Sequence, residues 1–252
     1  MKKTILFFWA TLLLCTFSID TDAAEVRVGG YSFPPFVGNV DGKFEGITLD
    51  IIKEMNALQD TYVFKFVPTS SKRRYRDFDH GDFDLIMFEN IQWGWAGKSI
   101  EKSDVFYQGG EVYITRTVPG RDQDYFNDFK GRRILGYVGY HYGFADFNAD
   151  EAFLKKQFNA NMTTTHEGNI RSVAAGRADI AVVTISFLKK YLHLHPEVAE
   201  KILISKNLDQ QYNHRMLMRS NMRPTIDEIN ALIQKMKDEG VLTHIFESYG
   251  IK

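Results

Sequence analysis

Two periods alternate along the chain, a period of two and a period near 3.6, and their alternation predicts a βα succession. Glu25–Gly30 (EVRVGG) predicts a strand that Pro34 and Pro35 bar from continuing, because proline lacks an amide donor and has a fixed φ. Beyond the Asp41–Gly42 turn, Ile47, Ile51, Met55 and Leu58 recur at helical spacing, with Thr48 or Asp50 expected in the first turn. YVFKFV from Tyr62 predicts the next strand, ended by Pro68. Ser70 and Ser71 suit the cap of a helix that carries Arg73, Arg74, Tyr75 and Phe78 and stops at Gly81. An apolar run, Leu85–Phe88, then breaks into Glu89, Asn90, Trp93 and Trp95. In open α/β sheets ligands gather beyond the carboxyl ends of strands, so Glu89 is expected at the floor of a pocket.

The same syntax returns at Gly176–Thr184 (GRADIAVVT): glycine, two residues, aspartate, four apolar residues and a polar one. Glu89 and Thr184 therefore hold matching places in two half-molecules. Between them EVYITR from Glu111 predicts a strand, and the polar segment around Pro119 and Gly120 marks a first crossing. A second α/β series follows: strand RILGYV, loop GYHYG, a helix over 150–158, a helix ending at Gly176 and a helix from Ile185 that ends before Pro196. Ile202–Ile204 predicts a further strand, Asn207–Asn213 the return crossing and RMLM a strand beyond it. Thr225 and Glu228 have capping-box spacing ahead of the helical face Ile226, Ile229, Ile233 and Met236. Gly240 ends that helix, and Val241, Ile245, Phe246 and Tyr249 form a last amphipathic turn.

Composition changes this picture at the N-terminus only. Lys2 and Lys3, the apolar run Ile5–Leu14 and the small pair Ala23–Ala24 have the order of a secretory signal peptide, residues 1–24, and imply export to the periplasm. The apolar run is too short for a membrane anchor. Cys15, the one cysteine, lies within this leader, so the mature chain is expected to be stabilised by its core and not by disulfides. Lys+Arg number 31 against 32 Asp+Glu, and the leader removes two of each. A balanced charge argues against nucleic acid as the partner. The sequence has no GxSxG, no HExxH and no metal-like cluster, and its seven histidines are scattered, so no catalytic residue, metal or cofactor is expected.

RVGGYSFPPF, FEGITLDIIKEM, GDFDLIMF, SDVFYQGG, FKGRRILGYVGY, AAGRADIAVV and INALIQKMKDEGVLTHIFESYG, in this order across nearly the whole mature chain, resemble the family 3 extracellular solute-binding proteins, receptors of polar amino-acid ABC importers. The resemblance implies a two-lobed α/β fold of the type II periplasmic-binding kind, with two crossing strands and a ligand enclosed by hinge closure. The lobes would be 25–116 with 213–252, and 117–212. It further implies a monomer that delivers a small polar solute, an amino acid or a related amine or acid, to an inner-membrane permease.

Two departures from the family pattern bear on the ligand. Where the family carries an arginine for the ligand carboxylate this chain has Ala96, and where it carries an aspartate for the ligand ammonium this chain has Thr184. Lys98 or Arg73 is the expected substitute for the arginine, and Glu89 for the aspartate. The expected ligand-binding residues are Tyr31, Phe33, Phe88, Glu89, Trp93, Lys98, Tyr140, His141 and Thr184. At least one of Trp93 and Trp95 is expected on the cleft, and the KRRYR run from Lys72 reads as a solvated helix face from which one arginine reaches inward. Two rival readings remain open at this point: a cyclohexadienyl-dehydratase-like enzyme with Glu89 as its acid, and a receptor for a membrane sensor.

Overall fold

A computed structural model describes residues 23–251; the leader and Cys15 expectations fall on residues outside the described ones, save for Ala23 and Ala24. In chain order the first lobe is built from β1 (Ala24–Gly30), the hairpin β2 (Gly38–Val40) and β3 (Lys43–Glu45), α1 (Ile47–Ala57), β4 (Tyr62–Pro68), α2 (Arg74–His80), β5 (Leu85–Glu89) and β6 (Ile100–Lys102). After β7 (Tyr107–Arg116) come β8 (Ile134–Tyr137), α3 (Glu151–Phe158), β9 (Ala160–Thr163), α4 (His166–Ala174), β10 (Ile180–Thr184), α5 (Ile185–Leu194) and α6 (Pro196–Ala199). The long β11 (Ile202–Arg219) returns to the first lobe, which α7 (Ile226–Asp238) and α8 (Val241–Ser248) complete.

The strands run in the order β4-β1-β5-β11-β7-β10-β8-β9, with β6 on the far part of β11. β1 is parallel to β4 and β5, and β8 is parallel to β9 and β10. β7 and β11 are antiparallel to each other along nearly their whole overlap and join the two halves. Where the sequence predicts two short strands separated by a crossing segment, β11 is a single strand of 18 residues. At about 3.3 Å per residue it spans roughly 60 Å, and its backbone is satisfied through the crossing by β7, with register shifts at Leu208.

The pseudo-repeat has a physical basis. In the first lobe Asp84 accepts from the Arg27 amide (3.0 Å) and takes its guanidinium in a fork at 3.0 and 2.7 Å. In the second, Asp179 accepts from the Arg133 amide (2.8 Å) and holds its fork at 3.0 and 2.9 Å. Each aspartate thus ties the strand it precedes to its parallel neighbour. Gly81 (φ 78°) and Gly176 (φ 72°), in left-handed geometry, end the helices before them.

One apolar core runs under both lobes, from Val26, Ile51, Phe83 and Ile86 to Ile134, Ile180 and Val182. A second, formed by Ile114, Ile170, Val173, Val183 and Leu188, seals β7 and β10 against α4 and α5. Thr48 and Asp50 both fall in the first turn of α1, as expected. Gly46 stands at its N-cap, Thr48 is buried inside the helix and Asp50 accepts from the Tyr249 hydroxyl at 2.7 Å. The capping box of Thr225 and Glu228 is present in full. Among the described residues no helix is long and apolar enough to cross a membrane.

Candidate functional site

β5 ends in a bulge. Ile86 lies opposite Leu217 and Glu89 opposite Arg215, so that Met87 and Phe88 on one strand face Met216 alone on the other, and Phe88 takes a left-handed φ of 60° to absorb the extra residue. For a non-glycine residue that geometry is strained, and its effect is to send Phe88 and Glu89 to different neighbours. Phe88 stacks on Phe36 at 4.3 Å and meets His214 at 5.5 Å. Glu89 turns into the first lobe, where it has no exposed surface.

There Glu89 Oε1 lies 3.2 Å from Arg74 Nε, and Oε2 accepts from the Trp95 indole at 2.6 Å. Burial pushes the Glu89 carboxyl up, and Arg74 and Trp95 hold it down in part. Arg74, only 1% exposed, has its guanidinium carbon 4.7 Å from the Tyr31 ring centre and 4.3 Å from that of Tyr75, and donates from Nη1 to the Ser71 carbonyl. The KRRYR run is therefore not a uniformly solvated face. Arg74, Asp77 and Phe78, spaced i, i+3, i+4, are the buried stripe of α2, and Arg74, not Arg73, is the arginine that reaches inward.

Above this pair lies a cavity of about 10 Å³, room for about one water molecule, lined by Tyr31, Phe33, Arg74 and Trp93 of the first lobe, Gly139, Tyr140 and His141 of the second, and Gln210 and Tyr212 of β11. The lobes meet around it. Tyr75 Oη is 2.9 Å from His141 Nε2 and also donates to the Trp93 carbonyl. Ser71 donates to the Val138 carbonyl (3.1 Å), and the Ser32 hydroxyl pairs with that of Tyr137 (3.0 Å). At Gly139 the two walls are so close that a Cβ would stand 2.3 Å from Ser71 Oγ. Burial lowers the His141 pKa to about 4, against a partial rise from the Phe147 carbonyl at 2.6 Å.

Of the nine residues expected from sequence, Tyr31, Phe33, Trp93, Tyr140 and His141 line the cavity. Phe88 and Glu89 lie behind it, supporting His214 and Arg74. Lys98 sits on the outer side of Tyr75 and pairs with Asp79 at 2.6 Å, because α2 interposes its own arginine. Thr184 is buried at the start of α5 with its hydroxyl 3.3 Å from His166 Nε2, turned away from the cavity where β10 becomes helix. Trp95 is fully buried against Tyr75 and Phe78, whereas the Trp93 indole donates to Gln210 at 2.9 Å in the cavity wall. Gln210 and Tyr212 escape a sequence reading because they lie in a polar stretch that looks like a linker. Among the described residues no three His, Cys, Asp or Glu side chains are grouped to hold a metal.

No family model and no curated protein matches the sequence. Solved structures do match. A putative binding component of an ABC transporter from Wolinella succinogenes, complexed with lysine, is 17% identical at a TM-score of 0.68, over 89% of this chain and 95% of its own. A mutant of ArgBP from T. maritima is 17% identical at 0.66, over 90% and 95%. An ancestral amino-acid-binding protein described as a precursor of cyclohexadienyl dehydratase is 18% identical at 0.63, over 90% and 95%. At such identities the likeness is one of fold: the chain has the two-lobed type II periplasmic-binding-protein fold.

Proposed function

We propose that this protein is an exported solute-binding protein that captures a small polar solute, an amino acid or a related compound, by closing its two lobes. The observation that carries the reading is the cavity itself, walled by both lobes and by the crossing strand β11, on a fold shared with amino-acid-binding proteins. Such a geometry converts binding into hinge motion, because a solute seated between the walls contacts both only when they meet. The proposed lobes are 25–116 with 213–252, and 117–212. The proposed setting is the periplasm, reached through a leader at 1–24, where a monomer would present its solute to an inner-membrane ABC permease.

Binding without bond chemistry is the favoured reading over the dehydratase alternative. Glu89, the acid that alternative requires, does not line the cavity and has its two oxygens directed at Arg74 and Trp95. The proposed solute contacts are Tyr31, Phe33, Trp93, Tyr140 and His141, with Arg74, Gln210 and Tyr212 added.

The test is a thermal-shift screen of the purified protein against amino acids, polyamines and small carboxylic acids, read alongside tryptophan fluorescence. Trp93 and Trp95 are the only tryptophans outside the leader, and both sit at the site. A solute at 100 times its dissociation constant adds about 2.7 kcal/mol and should raise the melting midpoint by roughly 5–10 °C. A cooperative melt with no shift and no fluorescence change from any solute, together with turnover of arogenate or prephenate, would replace the binding reading with the enzymatic one.

A further inference from the structure

Arg74 occupies an unusual place for a protein side chain. Its guanidinium carbon stands 4.7 Å from the ring centre of Tyr31 and 4.3 Å from that of Tyr75, with Glu89 Oε1 3.2 Å from Nε and the Ser71 carbonyl on Nη1. Two aromatic faces and a carboxylate are what a site needs to take up a planar organic cation. The box is 1% exposed at its occupant and opens on the cavity between the lobes. Among the described residues no carboxylate lines that cavity. Its lining includes Arg74 and Tyr140, whose hydroxyl is buried and has no hydrogen-bond partner among the described residues. The Trp93 indole is already committed to Gln210.

We propose that Arg74 is a built-in occupant of a cation box, and that the solute is a small carboxylate lacking a cationic side chain, received by Arg74 and the Tyr140 hydroxyl. This deepens the binding-protein reading and rests on it for the solute, whereas the occupied box stands on the geometry alone. A second organic cation is excluded on two grounds. Its place is filled by Arg74, whose carboxylate partner Glu89 is already engaged, and the cavity lining offers it no further carboxylate among the described residues. A carboxylate meets a guanidinium that has two tyrosine rings within 4.7 Å, Nε beside Glu89 and Nη1 on the Ser71 carbonyl, which leaves Nη2 for a charge-assisted hydrogen bond.

The experiment compares the purified protein with Arg74→Ala in thermal-shift and calorimetric titrations against guanidinium ion at 10 mM, L-arginine, L-lysine, L-glutamate, succinate and acetate. The wild-type protein should respond to one or more carboxylates and to none of guanidinium, arginine and lysine. In Arg74→Ala the carboxylate response should disappear and guanidinium should raise the melting midpoint, by roughly 3–6 °C at ten times its dissociation constant. Arg74→Gln serves in its place if the alanine variant does not fold.

Stoichiometric binding of arginine or lysine by the wild-type protein overturns the inference, as does a folded Arg74 variant that guanidinium fails to stabilise. Binding of an uncharged solute alone overturns the carboxylate assignment and leaves the binding-protein reading in place. Silence of the wild-type protein toward all solutes, with guanidinium uptake by the variant, supports the occupied box and counts against the binding-protein reading.

Discussion

Glu89 and Arg74 are both removed from water, so neither can lose its partner cheaply. The mutual attraction of a buried pair does little more than offset desolvation, but a charge left alone there has no such compensation. Glu89→Gln, which leaves Arg74 unpaired beneath two tyrosine rings, is expected to cost about 3–5 kcal/mol by chemical denaturation. A loss below about 1 kcal/mol would show that the pair is not an ion pair in the folded protein. His214 poses a different residue-scale problem. It is fully buried on β11 among Phe33, Phe36, Phe88, Trp93, Tyr107 and Tyr212, and neither ring nitrogen has a hydrogen-bond partner among the described residues. Burial lowers its pKa to about 3, and burial alone lowers that of His166 to about 3. An imidazole with a depressed folded pKa lets the unfolded chain bind the proton first. The stability it allows is complete above about pH 6.5 and is lost as pH falls toward 3. Burial raises Glu111 and Asp209, whose contributions run the other way: present below their unfolded values, lost as pH rises through the folded ones. His214→Phe isolates one group from this sum. Relative to wild type it should gain up to about 1.4 kcal/mol per pH unit between pH 6 and 4, and urea melts across that range that run parallel for the two proteins would refute the assignment.

At the scale of elements, the aspartate after each helix-ending glycine does the same task twice. Asp84 and Asp179 each bind one arginine's amide and fork, and each receives in return a backbone link, Asp84 N to Arg27 O at 2.8 Å and Asp179 N to Arg133 O at 3.0 Å. Asp84→Ala is expected to cost about 1.5–3 kcal/mol, the range for hydrogen bonds to a charged group, and Asp179→Ala less, since its side chain is 31% exposed. The two share no partner, so their effects should add within about 0.5 kcal/mol; strong non-additivity would mean that the two ties are energetically coupled. The repetition itself is legible in the string of residues, because glycine, aspartate and an apolar run recur at fixed spacing. Its partners are not, since Arg27 and Arg133 lie 57 and 46 positions away. The elements read least well are those whose polarity belies their pairing: Asn207–Asn213 looks like a linker and is strand, because β7 satisfies its backbone.

For the molecule as a whole, the question is what allows the lobes to meet. Gly139 has φ 76° and leaves no room for a Cβ against Ser71, while Lys72 and Glu151 pair across the same face. Gly139→Ala should therefore hold the lobes apart: small-angle scattering should give a larger radius of gyration than wild type in the presence of a bound solute, and affinity should fall at least about tenfold. An unchanged scattering profile and affinity would mean that closure does not bring these walls together.

The main βα succession, the repeated glycine–aspartate–apolar pattern and the capping box were legible in the sequence alone, whereas β2, β3, β6, β9 and the continuity of β11 were not. Local periods and turn chemistry are properties of neighbouring residues. Only the tertiary structure decided that Arg74 packs on both Tyr31 and Tyr75 while Lys98 pairs with Asp79. It also decided that Glu89 supports the site from behind, that Thr184 turns to His166, and that Gln210 and Tyr212 close the wall. Those outcomes depend on a bulge at Phe88 and on the pairing of β7 with β11. Such pairings set the direction of a side chain through contacts far apart in the chain, which no local pattern encodes.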